Sequence, residues 1–221
     1  MRMSELSERS GLPVASIKYY QREGLVPFGE HTSANQSQYD DAHVDRLRLV
    51  RALIEVGGLS VSSAKAVLAA IDNTDMPLDW AFGIAQRAAS KALPALDADP
   101  SAEATQRVSA LIDDRGWLVT DINPGRTIVA RVLESYEALG LAHLIDTLPA
   151  YADAALVVAG ADLAAVGAAS DRAAMTETVV VGTVLGDTLL AGLRRIAQEH
   201  LSHTLFPAPM ALESDCEEEQ P

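Results

Sequence analysis

Gly11 and Gly24 bracket a segment that permits few folds: Leu12-Pro13-Val14-Ala15-Ser16-Ile17-Lys18-Tyr19-Tyr20-Gln21-Arg22-Glu23. Glycine tolerates a left-handed backbone, so each glycine marks a natural corner between helices or after one. Before Gly11, the residues Met3, Leu6 and Ser7 recur at helical spacing, which predicts a first helix over Met3 to Ser10. After it, Pro13 suits the first turn of a second helix, where its missing N–H costs nothing. Ile17 and Tyr20 lie three apart and turn toward helix 1, which sends Lys18, Tyr19 and Arg22 outward on one face. Two short helices joined at a tight glycine turn, the second carrying exposed cations, present a recognition helix to DNA.

The chain's charge at first opposes a nucleic-acid partner: 17 Lys+Arg against 31 Asp+Glu, a net −14. The excess is not spread evenly. Residues 1–71 hold 8 of the basic and 8 of the acidic residues, leaving 9 and 23 for residues 72–221. The N-terminal part is therefore neutral and free to have a local basic face. With 48% hydrophobic but only 5% aromatic residues, the core is built mostly from Ala, Val and Leu, which favours closely packed helices.

Other classes recede. Cys216 is the only cysteine, so a disulfide framework and a multi-cysteine zinc or redox site within one chain are excluded, and a reducing cytoplasm is the natural setting. Arg2, Glu5, Glu8 and Arg9 interrupt any signal peptide, while Asp162 and Asp187 break the apolar runs before membrane-spanning length. The reading is a cytoplasmic protein with no membrane partner. No nucleophile–base pair and no phosphate-cradling glycine loop stands out, so neither an enzyme nor a cofactor is expected.

Residues 26–39 lack a helical period, and Pro27, Gly29 and a polar run suit a loop or short β-hairpin. Asp40 or Asp41 can cap a third helix with the stripe Val44, Leu47, Val50, Leu53 and Ile54, which Gly57-Gly58 stops. Ser60 opens a fourth, carrying Val61, Ala64, Val67, Leu68 and Ile71. Residues 72–77 form the best boundary. Further helices are expected over 78–93, closed by Pro94, over 101–114, and from Asn123-Pro124 to Gly140. Pro149 kinks or divides the next stretch, and Ser170 to Leu205 reads as one long helix or two.

Four helices with a polar wing resemble the MerR family of bacterial transcription regulators. The resemblance rests on Met3-Ser4-Glu5-Leu6-Ser7 with Ser10-Gly11-Leu12, on Ser16-Ile17-Lys18-Tyr19-Tyr20-Gln21-Arg22-Glu23-Gly24-Leu25, on Tyr39-Asp40-Asp41 with Val44-Asp45-Arg46-Leu47, and on Gly57-Gly58-Leu59-Ser60 with Lys65. It covers about residues 1–71. An ordinary amphipathic helix also accommodates a Tyr-Tyr pair; the four-part spacing argues for DNA contact. The resemblance implies a mainly α fold: an N-terminal winged helix-turn-helix domain with a short β-hairpin wing, followed by a helical C-terminal domain. The expected division is a DNA-binding domain over 1–73, a connecting helix and candidate dimerisation element over 74–95, a helical effector and dimerisation domain over 96–212, and a disordered acidic tail over 213–221.

The candidate DNA-binding residues are Val14, Ser16, Lys18, Tyr19, Tyr20, Arg22, Gln36, Tyr39, Ser60 and Lys65. Lys18 and Arg22 can neutralise phosphates or donate to a guanine edge. Tyr19 can donate its hydroxyl to a phosphate, while Tyr20 turns its ring inward. The resemblance places Lys65 at phosphate, and the start of the fourth helix can add Ser60 and backbone N–H donors. One departure stands out: where such wings carry a Gly-Tyr-Arg run, this chain reads Asn35-Gln36-Ser37, and no Lys or Arg occurs between Glu23 and Asp45. Such a wing can hydrogen-bond DNA but releases no counterions.

The resemblance also implies a homodimer acting on double-stranded promoter DNA together with RNA polymerase, activating by untwisting over-long promoter spacers, with an inducer sensed by the C-terminal part. No cysteine serves a thiolate metal sensor at the junction. His200 and His203 beside Glu199 are spaced for a metal, but an exposed polar helix end is the simpler account. Trp80, Trp117, Tyr136 and Tyr151, with Phe82 and nearby acids, would suit an apolar cation, although filling core gaps explains them more simply. Gly182 and Gly186 share a helix face that permits a close crossing. The competing function is a small-molecule-binding or sequestering protein with a vestigial DNA-binding domain; a structural nucleoid role is a third.

Overall fold

A computed structural model describes residues 1–33, 36–90 and 99–206. Helices α1 (Met3–Ser10) and α2 (Val14–Arg22) precede two short strands, β1 (Glu30–Ser33) and β2 (Gln36–Gln38). Then come α3 (Asp41–Arg51), a π-helical turn over Ala52–Val56, α4 (Val61–Asp72), α5 (Leu78–Ser90), α6 (Ala102–Asp114), α7 (Pro124–Ala138), a 3-10 turn over Ala142–Thr147, α8 (Leu148–Gly167) and α9 (Arg172–Leu205). The strands pair antiparallel, Glu30 opposite Gln38 and His31 opposite Ser37. The expected close of α5 at Pro94, residue Asn35 and the acidic tail 213–221 lie outside the described residues.

The helix ends follow their capping chemistry. Gly11 ends α1 at φ +69°, its N–H reaching Glu8 O at 3.3 Å. Asp40 caps α3 by accepting from His43 N at 3.1 Å, and Ser60 caps α4 by accepting from Ser63 N at 3.1 Å. Ser101 and Asn123 cap α6 and α7 in the same way. Gly24, at φ +74°, closes α2: its own N–H bonds Gln21 O, and the next N–H, of Leu25, reaches back to Tyr20 O at 2.9 Å.

The N-terminal helices close over Leu6, Ile17, Leu25, Leu47, Val50 and Leu53, all essentially sealed from solvent. Each such side chain contributes roughly 1.5–3 kcal/mol of transfer free energy. The same cluster takes in Ala85 and Ala88 of α5 and Val180 and Val184 of α9. The stripe stops at Gly57 as expected, its last five residues wound as the π turn that Gly57 N closes by bonding Ala52 O at 2.9 Å. Gly57 itself has an ordinary φ of −77°. A Cβ placed there would stand 2.4 Å from Val184 Cγ1 and 2.8 Å from Leu53 O. Its glycine is thus required by the helix packed over it, not only by a helix stop.

A second cluster joins α6 to α7 through Ala104, Val108, Ile112, Ala130 and Leu133, with Trp117 against it. A third gathers Ala81 of α5, Val166 of α8 and Val179 of α9. Helix α9 is a single helix of 34 residues. Within one copy the close crossing that Gly182 and Gly186 permit is not made by the described residues, since none lies within 4 Å of a Cβ built at either. The run Ala142–Gly167, expected to fall short because of Asp162, is long and apolar enough to cross a membrane by length and composition, with mean hydropathy 1.4. The helix continues through its aspartates, so its average hydropathy survives them.

By contacts the chain divides into Met1–Gly186 and Asp187–Pro221. The second unit is described only by the distal part of α9, whose Leu189, Leu193, Ile196, Leu201 and Leu205 are exposed.

Candidate nucleic-acid interface

The turn between α1 and α2 is pinned by hydroxyls. Ser7 Oγ donates to Leu12 O at 2.6 Å and Ser10 Oγ to Ser7 O at 3.4 Å. With Leu6 and Ile17 sealed beneath, α2 has one orientation, and Lys18, Tyr19 and Arg22 stand exposed on its outer face. Val14 and Ser16 are half-buried near its start. Tyr19 and Tyr20 are tilted neighbours with ring centroids 5.7 Å apart. Tyr20 is buried against the core, and its phenol pKa is pushed up by burial first, then by the charge of Glu55 and by Tyr19, with Arg51 opposing. It therefore stays a neutral hydroxyl at ordinary pH.

Sequence reasoning missed Gln21. It is 4% exposed, and its Nε2 donates to Pro27 O at 3.0 Å, fastening the strand-bound chain to α2. A buried glutamine on a short polar helix gives no periodic signal. Arg46 was similarly silent beyond the family resemblance. Its Nε donates to Leu25 O at 2.8 Å, and its two terminal nitrogens grip both carboxylate oxygens of Asp72 at 2.8 and 2.7 Å. One planar fork thus ties α3 to the end of α2 and to the end of α4.

The strands are anchored at their base. Met1 N donates to Tyr39 O at 2.7 Å, and Tyr39 N returns a bond to Met1 O at 2.9 Å. Gly29 sits so close that a Cβ would meet Gln38 O at 2.5 Å and the Tyr39 ring at 2.8 Å. Tyr39 itself is 6% exposed, its ring edge-on to His43 at 5.2 Å. The structure makes it a support for the strands rather than a surface contact, because its ring fills the gap between Gly29 and α3. The side chain of Gln36 lies outside the described part of the structure.

Helix α4 brings Ser60 to its N-terminus and Lys65 to an exposed position near the end of α2. A Cβ built on Gly24 would lie 3.4 Å from Lys65 Nζ. The cations of residues 1–71 then fall into two sets. Arg9 pairs with Asp41, Arg46 with Asp72, Arg48 with Asp45 and Arg51 with Glu55. Arg2, Lys18, Arg22 and Lys65 have no acidic partner among the described residues.

The aromatics of the C-terminal part are not gathered in one place. Trp80 and Phe82 line an open cavity of about 660 Å³ between α5 and residues 118–124, with Asp79 and Arg87 at its edge. Trp117 packs against the α6–α7 cluster, with the Arg115 guanidinium 5.7 Å from its ring centroid. Tyr136 and Tyr151 line neither this cavity nor the one beside Arg46. Among the described residues no group of three His, Cys, Asp or Glu side chains is placed to hold a metal ion.

A short helix pair with an outward basic face, a strand pair and two capped supporting helices define a helix-turn-helix protein. Residues 1–71 match the family model for the MerR HTH family of regulatory proteins, so this N-terminal part of the chain is a MerR-type helix-turn-helix domain. It is 30% identical over 74 residues to the mercuric resistance operon regulatory protein of Bacillus cereus, across 34% of this chain and 55% of that one. It is 36% identical over 50 residues to the HTH-type transcriptional regulator ZntR homolog of Haemophilus influenzae, across 23% and 37%. These alignments span about half or less of the curated relatives' lengths. The crystal structure of SCO5550 from Streptomyces coelicolor A3(2), described as a candidate transcriptional regulator, superimposes with a TM-score of 0.66 at 32% identity, covering 96% of this chain and all of that one.

Proposed function

We propose that this chain is a sequence-specific, DNA-binding transcriptional regulator acting as a homodimer. The observation that carries this reading is the division of its cations. Four arginines are neutralised within the fold, whereas Lys18, Arg22 and Lys65 stay exposed around the end of α2 with no acidic partner among the described residues. Unpaired cations on and beside a recognition helix supply phosphate neutralisation and guanine-edge donors. Two copies would set two such helices into successive major grooves of a pseudo-palindromic promoter element. Activation by deforming that DNA for RNA polymerase accords with the family's known manner of action. A small-molecule inducer fits best at the cavity beside Trp80, because α5 joins it directly to α4.

The strand pair, which carries Glu30 and no Lys or Arg, supports a second reading, a ligand-binding or sequestering protein whose DNA-binding domain is vestigial. Footprinting on the DNA upstream of the chain's own gene separates the two. The regulator predicts a protected inverted repeat that is lost in Lys18→Ala. No protection at low salt would leave the sequestering reading, and protection without sequence preference would indicate a nucleoid role.

A further inference from the structure

The distal part of α9 carries apolar residues in an order that has its own symmetry. Leu189, Leu193, Ala197, Leu201 and Leu205 recur at four-residue intervals, so they form one ridge of the helix surface. The ridge reads the same from both ends about Ala197. Its four leucines are between 52% and 65% exposed, and Leu190 and Ile196 beside them are exposed as well. Arg195 and Glu199 point to the opposite side of the helix. A face depleted of acid at its centre and lined by leucine has the composition of an interface core.

We infer that this ridge is the contact between two copies of the chain, each α9 crossing its partner antiparallel with Ala197 on the twofold axis. The inference rests on the homodimer reading and assigns the surface that makes it. A twofold interface joins the same patch on both copies, and a ridge that is palindromic in sequence complements itself in that arrangement. Ridges of four-residue spacing interdigitate at a crossing of roughly −50°, and the small alanine at the centre lets the two backbones approach. Sealing the ridge and its two flanking residues removes on the order of 600 Å² per copy, about 1,200 Å² for the pair, at the lower end of specific interfaces.

The test uses the full chain and its mass in solution across a range of concentrations. The wild type is expected to be a dimer. Leu193→Glu with Leu201→Glu is expected to raise the dimer dissociation constant at least about 100-fold, with the helical circular dichroism kept. In a Cys216→Ser background, Ala197→Cys is expected to form a disulfide-linked dimer on mild oxidation, and Glu199→Cys is not. A dimer that survives the double glutamate variant and gives no cross-link at Ala197→Cys overturns the inference while leaving the homodimer standing. A wild type that is monomeric at every concentration overturns both. A monomer in which Ala197→Cys reacts with a thiol reagent only after residues 207–221 are removed overturns the inference in favour of the chain's own tail as the cover.

Discussion

Lys65 lies over Gly24, its ammonium 3.4 Å from where a Cβ on that glycine would be. The left-handed corner that ends α2 is thereby also the seat of the cation supplied by α4. Gly24→Ala is expected to cost about 1–2 kcal/mol, because φ +74° is strained for a residue with a Cβ. The same variant is expected to weaken DNA binding beyond its effect on folding, since Lys65 must move. Thermal unfolding and DNA titration on one preparation separate the two effects; equal binding at full occupancy of the folded state would remove the role given to this contact.

The exposed cations should register as counterions. Replacing Lys18, Arg22 or Lys65 by Ala is expected to lower the slope of log K against log salt by roughly 0.9 each where the contact is to phosphate. Conversely, Gln38→Arg is expected to steepen the wild-type slope by a similar step, because the strands lack a cation of their own. Fluorescence titrations at four or five salt concentrations measure both.

Arg46 is expected to matter for stability rather than for DNA. Its side chain is 17% exposed and donates to Leu25 O as well as to Asp72. Arg46→Gln is expected to destabilise the fold by roughly 1–3 kcal/mol, chiefly through the unsatisfied Leu25 carbonyl. Asp72→Asn should cost much less, because Asp72 is 57% exposed and screened by solvent. Denaturant midpoints decide the order; a larger loss in Asp72→Asn would reverse it.

Asp40 makes stability depend on acid. Its carboxyl is held below the usual range by the His43 side chain first, then by the His43 backbone N–H it caps. A carboxylate with a depressed folded pKa stabilises above its unfolded value, near 3.9. That contribution is lost as pH falls through the lower folded value. The melting temperature of the wild type is therefore expected to fall more steeply below about pH 4 than that of Asp40→Asn. Parallel slopes over pH 2.5 to 5 would show that the cap does not titrate.

Gly57→Ala should damage the fold although φ there is ordinary. The new methyl meets Val184 Cγ1 at 2.4 Å, and overpacking of this kind costs roughly 1–3 kcal/mol. Val184→Ala in the same chain is expected to restore part of that loss and not all, because Leu53 O also stands 2.8 Å away. Additive losses in the double variant would mean that the two residues do not meet.

What the sequence revealed was local. Gly11, Pro13, Asp40, Ser60, Ser101 and Asn123 announce corners and caps within a few residues of their effect, so α1 to α4, α6 and α7 could be read directly. Lys18, Tyr19 and Arg22 were legible because Ile17 and Tyr20 fix the inward side. The burial of Tyr39 was not legible, because it depends on the neighbouring Gly29 and on Met1, 38 positions away. The fork of Arg46 on Asp72 and the seat of Val184 at Gly57 join residues 26 and 127 positions apart. No periodicity connects such pairs. The absence of Lys and Arg from the strands was visible at once, since a missing cation needs no structure to be counted.

The seat of α9 also bears on how this chain is born. Val180 and Val184 complete a core whose other members almost all precede residue 90. During synthesis the DNA-reading end leaves the ribosome early with an apolar gap, which closes only when most of the remaining chain has been made. Pairings so distant in sequence form late and slowly. A nascent chain of this kind presents a sticky N-terminal half for much of its translation, and a gene fragment ending near residue 73 would freeze it in that state.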